Sequence, residues 1–293
     1  MPFSSKITPS RISVSIGLFW LHLSLQPAQA DDLSISAPYI PSLINVEYGV
    51  DSDEGRDIFL FTSLAVVPEH RLSLTYGDRD ETVRDTLEAL DTNTYAAGYA
   101  FHSIEHYRLG IDFEHWGDED KITTDTLSAF IALDWYDFTF TVSPQYRQID
   151  IFTDSDCNGS IDNTAVAFDI KYYPNRYLGF SAAYVTFDYS KERDALLGCA
   201  ESEDIPFLVG RLKTVADDSQ LLLGINLFLN TETYSLDWAR VESAIDGDTT
   251  DILSAYIATD RLDEWTLGLT IGTHDNYDDT TTEFIKGSAT YYW

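Results

Sequence analysis

Apolar and polar residues alternate over most of this chain. Leu72, Leu74 and Tyr76 alternate with Arg71, Ser73 and Thr75; Tyr95, Ala97, Tyr99 and Phe101 alternate with Thr94, Ala96, Gly98, Ala100 and His102. Tyr107, Leu109, Ile111 and Phe113 interleave with Arg108, Gly110, Asp112 and Glu114, and Trp265, Leu267, Leu269 and Ile271 with Thr266, Gly268, Thr270 and Gly272. A period of two with one apolar face predicts β-strands. The polar face is mostly Gly, Ala, Ser and Thr with scattered charges, while the apolar face is aromatic and nearly continuous. A soluble sandwich turns its apolar face inward and long charged side chains outward. The reverse suits a membrane barrel, apolar toward lipid and polar toward a lumen.

The links between these runs alternate in length. Short ones fall near Val67-Pro68-Glu69, Ser103-Ile104-Glu105, Trp135-Tyr136, Pro174-Asn175, Ala216-Asp217-Asp218 and Arg261-Leu262-Asp263. Longer acidic ones run over 51–56, 77–91, 117–125, 149–162, 188–204, 243–251 and 274–283. Tight periplasmic turns and longer outer loops are the habit of an up-and-down barrel. The pattern predicts an all-β, transmembrane antiparallel barrel over 42–293. It has about fourteen strands (a range of about 12–16), starting near Leu43, Ile58, Arg71, Thr92, Tyr107, Thr126, Phe138, Asn163, Tyr177, Ile205, Gln220, Ile252, Trp265 and Thr282. Gln220 to Ser243 reads either as one long strand or as a hairpin. An even count puts both termini on the periplasmic side.

The first thirty residues read differently. Lys6 and Arg11 precede an apolar run from Ile12 to Leu25, then Gln26-Pro27-Ala28-Gln29-Ala30, which is the layout of a cleaved signal peptide. The run is shorter than the roughly 20 residues a spanning helix needs. The expected organisation is therefore 1–30 signal peptide, 31–41 short periplasmic segment and 42–293 barrel. Without Lys6 and Arg11, the 18 basic residues become 16 against 49 acidic ones. That balance argues against nucleic acid, whose phosphates need Lys and Arg. Aromatic content of 14% argues against disorder.

The chain ends Ile285-Lys286-Gly287-Ser288-Ala289-Thr290-Tyr291-Tyr292-Trp293, with Ile285, Tyr291 and Trp293 on one face. This resembles the terminal strand of bacterial outer-membrane β-barrel proteins, in which a C-terminal aromatic, most often Phe, is part of the assembly signal. The resemblance implies a Gram-negative outer-membrane location and contact with lipid and lipopolysaccharide. It also implies recognition of Tyr291 and Trp293 by the barrel-assembly machinery, and porin-like passive diffusion of small hydrophilic solutes. Tyr76, Trp116, Trp135, Tyr136, Tyr172, Tyr173, Trp238, Trp265 and Trp293 are candidate interface aromatics.

Alternation marks Arg71, Arg108, Asp112, Glu114, Asp169, Lys171 and Lys286 as candidate lumen-facing charges, able to select by size and charge. The acidic loops add cation attraction at the outer mouth. Asp154, Asp156, Asn158 and Asp162 surround Gly159 in the first half of a calcium-loop pattern, but Ala165 stands where a bidentate Glu belongs. No cofactor is expected unless calcium binds there. Cys157 and Cys199, on neighbouring long links, are a candidate disulfide after export. Two other function classes remain open: a hydrolase using His115 or His274 with Asp112, Glu114 or Asp275, and a non-conducting structural or adhesive barrel acting through its loops. No nucleophile motif or metal-ligand spacing favours the hydrolase, so the chain is read as no enzyme.

Overall fold

The computed structural model describes residues 41–52, 55–67, 69–82, 89–103, 106–118, 122–152, 159–190, 194, 216–245, 247–262, 264–275 and 281–293. Fourteen strands form the fold: β1 Leu43–Asp51, β2 Arg56–Val67, β3 His70–Thr82, β4 Ala89–His102, β5 Tyr107–Asp118, β6 Ile122–Trp135 and β7 Phe138–Ile151. They continue as β8 Gly159–Asn175, β9 Leu178–Tyr189, β10 Asp217–Leu229, β11 Glu232–Ser243, β12 Thr249–Leu262, β13 Trp265–Asp275 and β14 Thr281–Tyr292. Each strand pairs with its sequence neighbours, and β14 pairs antiparallel with β1, closing the sheet. Ser42 and Trp293 exchange both backbone bonds at the seam, at 3.1 Å each. A closed sheet leaves no strand edge, so the backbone is satisfied even in hydrocarbon.

Fourteen strands about 4.8 Å apart and tilted about 40° give a ring roughly 14 Å in backbone radius. The outward positions form an apolar belt that includes Leu74, Ile111, Ile131, Leu236 and Ile271. The alternate positions face inward and are mostly small or polar, with Ile122, Phe130, Ile252 and Tyr256 among the larger residues that join them. Strands of 9 to 17 residues reach or exceed the roughly 9–11 residues a bilayer needs, so several project beyond it.

The links at the end where Ser42 meets Trp293 are tight. Positive φ at His106, Tyr136, Asn230 and Glu264 falls in these turns, where the twist of short hairpins demands it. Trp135 and Tyr136 meet edge-on at 5.6 Å beside the β6–β7 turn, and Phe138 stacks on Tyr172 at 4.5 Å. Such aromatics suit the boundary between lipid and headgroups. Trp116 and Tyr173 depart from the interface expectation. Trp116 registers with inward-facing Thr94 and Thr124, and Tyr173 shares the inward parity of Asp169 and Lys171.

The second half corrects the strand assignment. Gln220 to Ser243 is a hairpin, β10–β11, turning at Asn230 and Thr231. Asp217 and Asp218 lie at the outer end of β10 and form no periplasmic turn. Because β9 hydrogen-bonds directly to β10, the ring has no place for a strand starting near Ile205, a position outside the described residues. The expected number of strands emerges with a different membership.

Candidate functional site: the inner wall

The inward positions of the strands line the barrel. Lys286 on β14 donates to Asp57 Oδ2 on β2 at 2.6 Å and lies 3.5 Å from Glu47 Oε1 on β1. It reaches across β1 because Gly49 registers between it and Asp57, and a Cβ there would lie 1.9 Å from Asp57 Oδ1. Nearer the outer end, Arg79 Nη2 lies 3.8 Å from Asp51 Oδ2. At the periplasmic end, Arg108 Nη2 donates to Asp134 Oδ1 at 3.1 Å, and Thr139 Oγ1 donates to the same oxygen at 2.6 Å.

Each sequence-derived candidate lies on the inward parity of its strand. Arg71 is 7% exposed and donates from Nη2 to the Pro41 carbonyl at 2.5 Å. Asp169 and Lys171, two residues apart on β8, interact with each other and with Arg108. Glu114 interacts with Arg147 on β7. Asp112 faces Gly98 across the β4–β5 ladder. The periplasmic third of this wall thus gathers Arg71, Arg108 and Lys171, while carboxylates concentrate toward mid-depth.

Inspection of spacing alone missed Glu47, Asp51, Asp57, Arg79, Asp134, Arg147 and Asp237. The signal was present locally: Glu47 sits between Val46 and Tyr48, and Asp237 between Leu236 and Trp238, all four apolar neighbours pointing outward. The wall from β9 to β13 is mostly small and uncharged, with Ser181, Ala183, Gly224, Ser235, Ser254 and Gly268 at inward positions.

The histidine candidates do not converge. His115 faces outward, and its Nδ1 lies 2.7 Å from Asp125 Oδ1 on β6. Asp112 and Glu114 lie on the opposite face of β5, because adjacent residues alternate sides. His274 is buried on the inward face of β13. The structure therefore replaces the sequence-adjacent acids with a cross-strand partner for His115 and keeps the two histidines on opposite faces of the sheet.

Cys157, Cys199, Asp154, Asp156 and Asn158 lie outside the described residues. Asp162 accepts a hydrogen bond from the Tyr146 hydroxyl at 2.7 Å on the outward side. Tyr291 packs against Trp265 at 4.9 Å and stacks with Trp293 at 5.9 Å, on the lipid-facing side of the seam.

No family model and no curated protein matches this sequence. Several solved structures are similar to it in fold. The CymD monoaromatic hydrocarbon channel matches at a TM-score of 0.56 and 8% identity, over 86% of this chain and 88% of that one. A Pseudomonas aeruginosa FadL homologue matches at 0.54 and 8%, over 86% and 90%. The Acinetobacter baumannii outer membrane protein Omp33 matches at 0.51 and 10%, over 86% and 98%. Identity at that level reports shared architecture, and the architecture is that of a bacterial outer-membrane β-barrel.

Proposed function

We propose that this chain is a porin-like channel of the Gram-negative outer membrane that passes small hydrophilic solutes by passive diffusion and prefers cations. The carrying observation is the inner wall: paired charges and many small or hydrophilic side chains, with an apolar cluster of Ile122, Ile149, Ile151 and Ile161 toward the outer end, inside a closed sheet whose other face is apolar. Hydrophilic walls solvate a polar solute, and fixed charges select among ions. Asp51, Asp80, Asp188, Asp217 and Asp275, toward the outer strand ends, favour cation entry from that side.

The same reading makes residues 1–30 a cleaved signal peptide, lipopolysaccharide the outer-leaflet neighbour, and Tyr291 and Trp293 the mark read by the barrel-assembly machinery. Liposome swelling tests the transport claim. Vesicles carrying the refolded protein should swell in small neutral sugars at rates that fall as the sugar grows. Swelling no faster than in protein-free vesicles would overturn it.

A further inference from the structure

We infer that the outer half of the inner wall on β6, β7 and β8 is a docking face, and that its occupant is this chain's own segment 195–215, between β9 and β10. The inference goes beyond the channel reading and does not depend on it.

The inner wall of these strands divides by depth. Toward the periplasm, inward Thr139, Thr141 and Ser143 on β7 and Ala167, Asp169 and Lys171 on β8 are half-buried. Toward the outer end, Ile149 and Ile161 are 0% exposed, Ile122 and Ile151 1%, and Ala165 4%. Register joins these into one patch, since Ile122 faces Ile151 and Ile149 faces Ile161. Their side chains point toward the axis from a wall whose far side is about 28 Å away, too far for facing strands to cover them. Water is excluded as well. Asn163, inward between Ile161 and Ala165, is 2% exposed, and neither atom of its amide has a hydrogen-bond partner. Bulk water in contact with this wall would hydrate that amide.

Length selects the occupant. The outer links 83–88, 119–121, 153–158 and 276–280 hold at most six residues, enough to reach about 12 Å down and back. Ala165 lies about 20 Å along β8 from Gly159 at the rim. Residues before Pro41 start from the opposite end, where Arg71 holds the Pro41 carbonyl. Segment 195–215 can reach about 35 Å down and back. Its flanks stand beside the patch: Ser190 N donates to the Asp162 carbonyl at 2.9 Å, and Ala216, 0% exposed, accepts from Ala244 N at 2.8 Å.

Composition agrees with length. The segment contains Ala195-Leu196-Leu197 and Ile205-Pro206-Phe207-Leu208-Val209. The second run has the apolar character of a strand, yet β9 pairs directly with β10 and leaves it no place in the ring. Exposed to water it would be costly, and against four isoleucines it is stabilising. Arg211 and Lys213, which follow it, suit an inner wall that carries Glu114 and Asp237.

Two measurements on the refolded full chain in detergent micelles test this. Trypsin should spare the bonds after Arg211 and Lys213 in the folded barrel and cut them once it is unfolded; cleavage there in the folded barrel would overturn the inference. Ile161→Cys should react with a water-soluble maleimide at least about tenfold more slowly than Thr141→Cys, read by peptide mapping so that Cys157 and Cys199 stay in place. Replacing 195–213 with a short Gly-Ser link should bring the two rates together. Phe207→Asp combined with Leu208→Asp keeps the chain length and should act in the same direction if the shortened chain does not assemble. Equal rates in the full-length chain would show an open patch and contradict the docking. Protection of Ile161→Cys that survives the change to the segment would assign the cover to another link or to a bound amphiphile, and would equally overturn it.

Discussion

Lys286 is held between two carboxylates and largely covered by its neighbours: it is 13% exposed, and its partners Glu47 and Asp57 are 8% and 11% exposed. Removing its charge leaves two buried anions facing each other, a loss of about 3 kcal/mol. Lys286→Gln should therefore lower the urea midpoint of unfolding, followed by tryptophan fluorescence. Arg240→Gln, which breaks an exposed pair with Asp251 on the outer face of β11, should change it by less than about 1 kcal/mol. Equal midpoints for the two variants would contradict the buried seam pair. The sequence made Lys286 legible as an inward charge, because it alternates with Ile285 and Gly287. Its partners were not legible, because Glu47 and Asp57 lie more than two hundred residues away and meet it only through strand register.

Single strands were far more legible than their partners. Tyr107 to Phe113 reads as β5 from alternation alone, and its observed register keeps Ile111 on the lipid side and Asp112 on the lumen side. A charge forced onto the lipid face should be costly in proportion to depth. Ile111→Arg, mid-strand, should destabilise the folded barrel by about 2–4 kcal/mol, and Leu262→Arg, at the periplasmic end of β12, by about 0–1 kcal/mol. Equilibrium refolding into phospholipid vesicles measures both, and equal effects would place the membrane elsewhere on the sheet. The hairpin β10–β11 escaped a firm reading because its turn, Asn230-Thr231, has no Gly or Pro to mark it. Asn230 takes the positive φ itself, at 29°, as Asn can where most residues cannot. The acidic pair Asp217-Asp218 looked like a turn but begins a strand, since polar character marks the outer end of a long strand as well as a loop.

At the scale of the whole molecule, one closed sheet separates two chemistries. Its outer face offers lipid a continuous apolar belt with aromatic residues toward the periplasmic end, and its inner face carries hydrophilic groups whose charges are arranged by depth. That separation was legible in the sequence as soon as alternation, link lengths and the terminal strand were read together. The arrangement of charge by depth was not, since it depends on where each strand begins relative to its neighbours. A barrel that only displays loops has no need of a graded, polar interior, whereas a channel uses it at every passage. Single-channel recording of the refolded wild-type protein in planar bilayers tests this most directly. Discrete, stable conductance steps in KCl, with a reversal potential in a salt gradient displaced toward that of potassium, are the predicted result. Correctly folded, membrane-inserted protein that gives no steps above the bare bilayer would contradict it.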